Sequence, residues 1–188
     1  MINGIDYLKK MYPDRDEKDY QPSGLDLRVG KVFKIKDADY LCAEPKLYGI
    51  VDGEKYLPEL IEVEPQTVNG HKDVFAIEWD DPYIFEVQEQ IQIGNHNAQF
   101  YLPRSTLLRM GVNVYTALGD LGYNGHLQFL VINHGVQTFY ISKGERFAQL
   151  VDFEVKGGSE SYDGDYQEEV DWRIDATRMG NYDERRGS

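Results

Sequence analysis

Four short segments carry side chains suited to binding and cutting an anionic molecule. Ser23-Gly24-Leu25-Asp26-Leu27 brings an acid into a strand from a glycine. Pro103-Arg104-Ser105-Thr106-Leu107-Leu108-Arg109 sets arginine, serine and threonine at the predicted start of a helix, where free backbone N–H groups favour anions. Asp120-Leu121-Gly122-Tyr123-Asn124-Gly125 spaces an acid and an aromatic ring three residues apart around a turn. Lys143-Gly144-Glu145-Arg146-Phe147-Ala148-Gln149-Leu150 is a turn leading into a strand that carries Gln149. Arginine offers a planar fork to phosphate oxygens, serine a short donor, and an ionised aspartate can take a proton from water. Each segment alone has a plainer reading. Arg104 could be a surface ion pair, Asp120 a turn residue, Tyr123 a core ring and Gln149 an edge-strand amide.

Composition removes many other chemistries. The 188 residues fit one domain, or one domain with a tail, and 41% hydrophobic against 28% charged residues is globular. A net charge of −13 repels nucleic acid and anionic membranes, so neither is expected as a partner. The one cysteine, Cys42, excludes an internal disulfide framework and every multi-cysteine zinc site. The four histidines, at 71, 96, 126 and 134, are too scattered to suggest a metal site. There is no phosphate-binding Gly-Lys-Ser/Thr loop, no dinucleotide glycine fingerprint and no His-Glu-x-x-His. No apolar run reaches the roughly 20 residues of a membrane-crossing helix, and the N-terminus does not read as a signal peptide. A soluble, cytoplasmic protein is expected.

Strands must position these segments. Tyr, Phe and Trp make 13% of the chain, and strand-like runs recur at 25–35, 47–51, 60–63, 74–79, 83–87 and 98–102. They continue at 112–116, 126–133, 138–141 and 146–155, giving about ten strands. Gly30 predicts a bulge or turn within the first run, and Asn69-Gly70, Asn124-Gly125, His134-Gly135 and Lys143-Gly144 predict turns. The spacing of Ile5, Leu8 and Met11 predicts a short N-terminal helix over 5–11, and 105–110 a second short one. The charged stretch Asp14–Asp19 reads as a solvated loop. The pattern predicts an all-β sandwich or jelly roll. From Gly157 the composition changes, and 160–171 holds six acids and no base. The expected organisation is a β domain over 1–156 and a mobile tail over 157–188, able to act as a lid.

Taken together and in order, the four segments resemble the trimeric dUTPase / dCTP deaminase superfamily, over about residues 21–155. That resemblance implies a distorted jelly roll of the β-clip type and hydrolysis of dUTP to dUMP and pyrophosphate by a homotrimer. It implies that Asp120 activates the attacking water, that Asp26 supports the arginine and the metal-bound solvent, and that Tyr123 lies beneath the deoxyribose. Arg104, Ser105 and Gln149 are implied as phosphate ligands, with Thr106 and Arg109 beside them in the same segment. The stretch 114–119 is implied to read the base edge. Mg²⁺ is expected as the cofactor, arriving with the triphosphate and held mostly by phosphate oxygens and water, with no protein metal ligands.

Other features lean toward the deaminase branch. Gln21-Pro22-Ser23 resembles that branch, as do Tyr166 and Gln167 in the tail, which are implied to contact substrate. Deaminases of the superfamily carry a proton-shuttling glutamate in the strand after Gly125, and here Leu130 stands at its place. Gly119 stands where dUTPases usually have isoleucine, and the phenylalanine of the dUTPase lid has no counterpart after Phe153. A dCTP deaminase, with or without diphosphatase activity, and a non-catalytic nucleotide-binding regulatory trimer are the alternatives.

Overall fold

A computed structural model of the chain describes residues 1–36 and 49–157. The expectations for the tail, including Tyr166 and Gln167, therefore lie outside the described residues, as does much of the stretch after Lys36. In chain order the elements are α1 (Ile5–Met11), β1 (Tyr20–Gln21), β2 (Gly24–Ile35), β3 (Gly49–Val51), β4 (Glu54–Tyr56), β5 (Leu60–Glu62), β6 (Gln66–Val68) and β7 (His71–Ile77). They continue with β8 (Pro82–Gln92), β9 (Asn97–Pro103), α2 (Ser105–Arg109), β10 (Val112–Tyr115), β11 (Asn124–Asn133), β12 (Phe139–Ser142) and β13 (Arg146–Glu154). The protein is all-β and jelly-roll-like. Its main sheet runs β10-β11-β8-β2-β13-β9, and a bridge between Gln99 of β9 and Gly119, just beyond β10, brings the two ends together.

β2 organises this closure because it serves two neighbours in succession. Its first half pairs with β13 (Leu25↔Leu150, Leu27↔Ala148), and its second half pairs with β8 (Val32↔Phe85, Phe33↔Ile84). The changeover falls at Gly30, where the register shifts between Val29 and Lys31, the bulge that the sequence predicts. A Cβ on Gly30 would lie 2.8 Å from the Gln88 Cα, so the two backbones touch there and no side chain fits. Alternation along β11 then buries Leu127, Phe129 and Val131, and leaves His126, Gln128 and Leu130 half-exposed on the other face. Phe147 packs between Phe85 and Phe129, with ring centroids 5.5 and 5.9 Å away. The seven-residue α1 has no side-chain cap and is too short to be stable alone. Burying Leu8 completely contributes about 1.5–3 kcal/mol toward holding it.

Two expectations need correction. Asn124-Gly125 is no turn: it opens β11, and Gly125 pairs with Ile91. Asn69-Gly70 does make its turn, with φ of 49° and 84° joining β6 to β7. The stretch Asp14–Asp19 is solvated only in part: Asp14, Asp16, Glu17 and Lys18 are exposed, but Arg15 is half-buried and Asp19 is 1% exposed, its carboxylate gripped by Arg28 at 2.8–3.1 Å. Charge content alone reads as exposure; only the partner at the other side, on β2, makes burial affordable in energy. β1, β4 and β6 are two- or three-residue strands too short to leave a periodic signal.

The Gly30 contact gives a direct test. Gly30→Ala should lower stability by about 1–3 kcal/mol through forced separation of β2 and β8. The urea midpoint at fixed protein concentration measures it, and an unchanged midpoint would contradict the account of the bulge.

Candidate active site

Asp26 collects one half of the predicted residues. It lies on β2, 2% exposed, and its Oδ2 accepts from Arg146 Nη1 at 3.1 Å and Gln21 Nε2 at 3.3 Å, with Arg104 Nε at 3.6 Å. Arg104 follows directly on β9 and is the N-cap residue of α2, while its own N–H donates to the Phe147 carbonyl. Gln149 stands opposite Asp26 across β2–β13 and opposite Leu102 across β13–β9, so one row of the sheet aligns them. Its side chain crosses above Gly24: a Cβ there would meet the Leu150 carbonyl oxygen at 2.3 Å and Gln149 Cγ at 2.9 Å. The glycine of the first segment is thus required first by the β13 backbone at Leu150 and then by the glutamine of the fourth. Ser105, Thr106 and Arg109 are exposed on α2, and Arg109 Nη1 donates to Ser105 Oγ at 3.1 Å.

Arg146 and the collar around it are the residues that sequence reasoning missed. Arg146 Nη1 also donates to the Lys18 carbonyl at 2.7 Å, and Arg15 Nη2 donates to the Asp26 carbonyl at 2.7 Å. Arg28 opposes Arg146 across the strands, a like-charge pair that Arg28 relieves by spending its guanidinium on Asp19 and Asp16. The signal was present as a basic residue inside the fourth segment, but only the pairing of β13 with β2 brings it to the acid.

Asp120 and Tyr123 form a second cluster. Asp120 is exposed just after Gly119, and the Tyr123 N–H closes the turn on the Asp120 carbonyl at 3.2 Å. The Tyr123 hydroxyl donates to the His126 carbonyl at 3.1 Å. Its ring lies over Gly125, whose absent Cβ would be 2.7 Å from that hydroxyl. Tyr123 is therefore both a fixed platform and a ring packed against the core. Within one chain the two clusters stay apart. Gln99 bridges to the Asp120 loop and Arg104 lies five residues further along, about 17 Å at strand rise. Among the described residues no hydrogen bond or ion pair joins them.

On β11, Leu130 lies half-buried opposite Ile84 of β8 and Tyr115 of β10. The acid that shares this face is Glu86, which accepts from Gln128 Nε2 at 3.2 Å and was not singled out from the sequence. Among the described residues no three His, Cys, Asp or Glu side chains converge on a metal position. No described helix is long and apolar enough to cross a membrane.

An all-β sheet closed end to end, with an arginine–carboxylate cluster at one place and an acid–aromatic turn at another, is the architecture of a known fold. The chain is similar to the crystal structure of 2′-deoxycytidine 5′-triphosphate deaminase from Agrobacterium tumefaciens, at TM-score 0.59 and 14% identity, over 80% of this chain and 47% of that one. The chain belongs to the dCTP deaminase-like family, whose model matches residues 7–155. Among curated relatives it is 42% identical to the "Probable deoxyuridine 5'-triphosphate nucleotidohydrolase" of Methanothermobacter thermautotrophicus, over 89% of this chain and 100% of that protein. It is 39% identical to the protein of the same name from Methanopyrus kandleri, over 88% of this chain and 99% of the relative. The "Deoxyuridine 5'-triphosphate nucleotidohydrolase" of Methanocaldococcus jannaschii is 34% identical over 89% of this chain and 99% of its own.

Asp26 has a titration that can be followed. Burial raises its carboxyl above the ordinary value of 3.8, opposed by Arg104 and then Arg146, and reinforced by Asp19. A carboxyl raised in the folded chain holds its proton more tightly there than in the unfolded chain. Its stabilising contribution is complete below the ordinary value and is lost as pH rises through the folded one. The stability of the wild type minus that of Asp26→Asn should therefore fall as pH rises above 3.8 and then level off. A flat difference across that window in urea titrations would contradict the assignment.

Proposed function

We propose that this protein is a dUTP diphosphatase, a nucleoside triphosphate hydrolase that converts dUTP to dUMP and pyrophosphate as a homotrimer. The observation that carries the reading is Leu130. Attack of water at C4 of cytosine needs a group that takes a proton and later protonates the departing ammonia. At the position where that acid belongs, β11 presents an apolar side chain, while the acid needed for phosphate hydrolysis, Asp120, is present and exposed. The full-length likeness to relatives named for deoxyuridine triphosphate hydrolysis supports the same conclusion.

In this reading Asp120 orients the attacking water and accepts its proton. Tyr123 supports the sugar, and its hydroxyl is already committed to the His126 carbonyl. Arg104 and Gln149 bind phosphate oxygens, with Ser105, Thr106 and Arg109 contributing from α2. Asp26 is a positioning residue, because its contacts are to Arg104, Arg146 and Gln21. It orients the guanidinium fork toward the triphosphate, where charge is greatest. Mg²⁺ belongs to the substrate, on triphosphate oxygens and water, neutralising charge on approach to a chain of net charge −13. Since one chain holds the Asp120 turn and the Arg104 cluster apart, the reading completes each site with a neighbouring subunit. The β domain over 1–156 carries both half-sites, and the remainder to Ser188, with Tyr166 and Gln167, is assigned as a closing lid. The cytoplasm is the proposed location.

Incubation with each dNTP and Mg²⁺, followed by chromatographic separation of bases and phosphates, tests the reading. dUTP should give dUMP and pyrophosphate, and dCTP should release no ammonia. Asp120→Asn should lower kcat by about 10²–10⁴ with the fold intact, because an amide cannot accept the water's proton. Ammonia from dCTP in step with new dUTP or dUMP would replace the assignment by a deaminase.

A further inference from the structure

The Asp120 turn rests on a buried support that none of the four segments contains. Gln99 of β9 and Gly119 exchange backbone hydrogen bonds, at 3.0 Å from the Gln99 N–H and 2.8 Å from the Gly119 N–H. The Gln99 side chain beneath them is 1% exposed, and both of its polar atoms are partnered. Its Nε2 donates to Asp152 Oδ2 and to the Tyr12 hydroxyl oxygen, each at 3.0 Å, and its Oε1 accepts from the Tyr101 hydroxyl at 3.0 Å. Asp152 is 3% exposed and also accepts from Asn3 Nδ2 and Asn97 Nδ2, both at 2.6 Å.

The order of these bonds has a direction. Asp152 accepts from three side-chain amide nitrogens, so the amide nitrogen of Gln99 faces it and the amide oxygen faces Tyr101. Tyr101 must then donate. Burial pushes its hydroxyl far above the usual phenol range, with smaller contributions from Tyr12, Tyr123, Asp152 and Asp120, so it stays protonated. That hydroxyl occupies the space of a side chain at residue 119. A Cβ built on Gly119 would stand 2.2 Å from it and 2.7 Å from Ile93 Cδ1. Thr116 Oγ1 further ties the approach to the turn, donating to the Tyr101 carbonyl at 2.8 Å.

We infer that Tyr101, locked by Gln99 and through it by the buried Asp152, is a positioning residue for Asp120, filling the room left by Gly119 and fixing the turn that presents the acid. The inference deepens the dUTPase reading, since it assumes that Asp120 acts on the reacting water. Its mechanical part, the rigidity of the turn, does not need that assumption.

Amide hydrogen exchange and steady-state kinetics with dUTP on the full chain separate the two. Tyr101→Phe should raise exchange at Gly119 and Gln99 about tenfold while the amides of β2 and β8 keep wild-type rates. In the same variant kcat should fall about tenfold with KM within about twofold, because the loss concerns orientation in the transition state. Gly119→Ala provides a second route should Tyr101→Phe fold poorly. It should give the same signature, and its effect should be smaller in the Tyr101→Phe background, where the hydroxyl that it meets is gone. Unchanged exchange at Gly119 in Tyr101→Phe would overturn the inference whether or not dUTP is turned over. A wild-type protein inert toward dUTP would sink the dUTPase reading, while the exchange rates would still decide the support.

Discussion

A carboxylate at 2% exposure has lost most of its hydration, and only nearby cations can hold it ionised. At Asp26 those cations are Arg146, on β13, and Arg104, just beyond β9, and both are bent toward one oxygen. The cost is visible in the direction of its titration, where burial outweighs both arginines. In return, three segments distant in sequence are pinned to one point, and each guanidinium is oriented before any ligand arrives. The surrounding collar follows from the same need. Arg15, Asp19, Arg28 and Glu89 pair among themselves, so the added charges balance.

The sheet that carries Asp26 also decides where the rest of the chemistry can lie. β9 passes from the Asp120 turn at Gln99 to the arginine cluster at Arg104, and a strand cannot bend back on itself over that span. Asp120 and Arg104 are thus held apart by the element that connects them. Under the proposed function, each subunit carries two rigid halves of a site on separate parts of the sheet, and symmetry joins them. Rigidity is then needed twice. Asp26 provides it for the arginines, and the Asp152–Gln99–Tyr101 chain provides it for the turn.

Much of this was legible in the sequence because its signals are local. The strands over 25–35 and 126–133, the helix marked by Ile5, Leu8 and Met11, and the bulge at Gly30 all appear where expected. So do the four segments, since each is a contiguous run of side chains and glycines. What was not legible depends on pairing across the sheet. Asp19 looked exposed because its partner Arg28 lies on another element, and Arg146 looked ordinary because Asp26 lies on a neighbouring strand far away in sequence. Asn124-Gly125 carried the chemistry of a turn but serves instead to admit the Tyr123 ring over Gly125. Gly119 departs from the dUTPase pattern, and the reason is Tyr101, eighteen residues earlier and invisible to any local rule.

The central claim is that one chain carries two half-sites that only a neighbour can complete. Asp120→Asn and Arg104→Ala each remove one half, and each variant alone should be inactive toward dUTP. Coexpressed, they should assort into mixed assemblies, and in each mixed trimer of the proposed kind one site in three, about a third, combines an intact Asp120 turn with an intact Arg104 cluster. Recovery of about that fraction of wild-type turnover in the purified mixed assembly is the predicted result. Mixed assemblies that form and stay inactive would show that each chain builds its site alone, contrary to the separation imposed by β9.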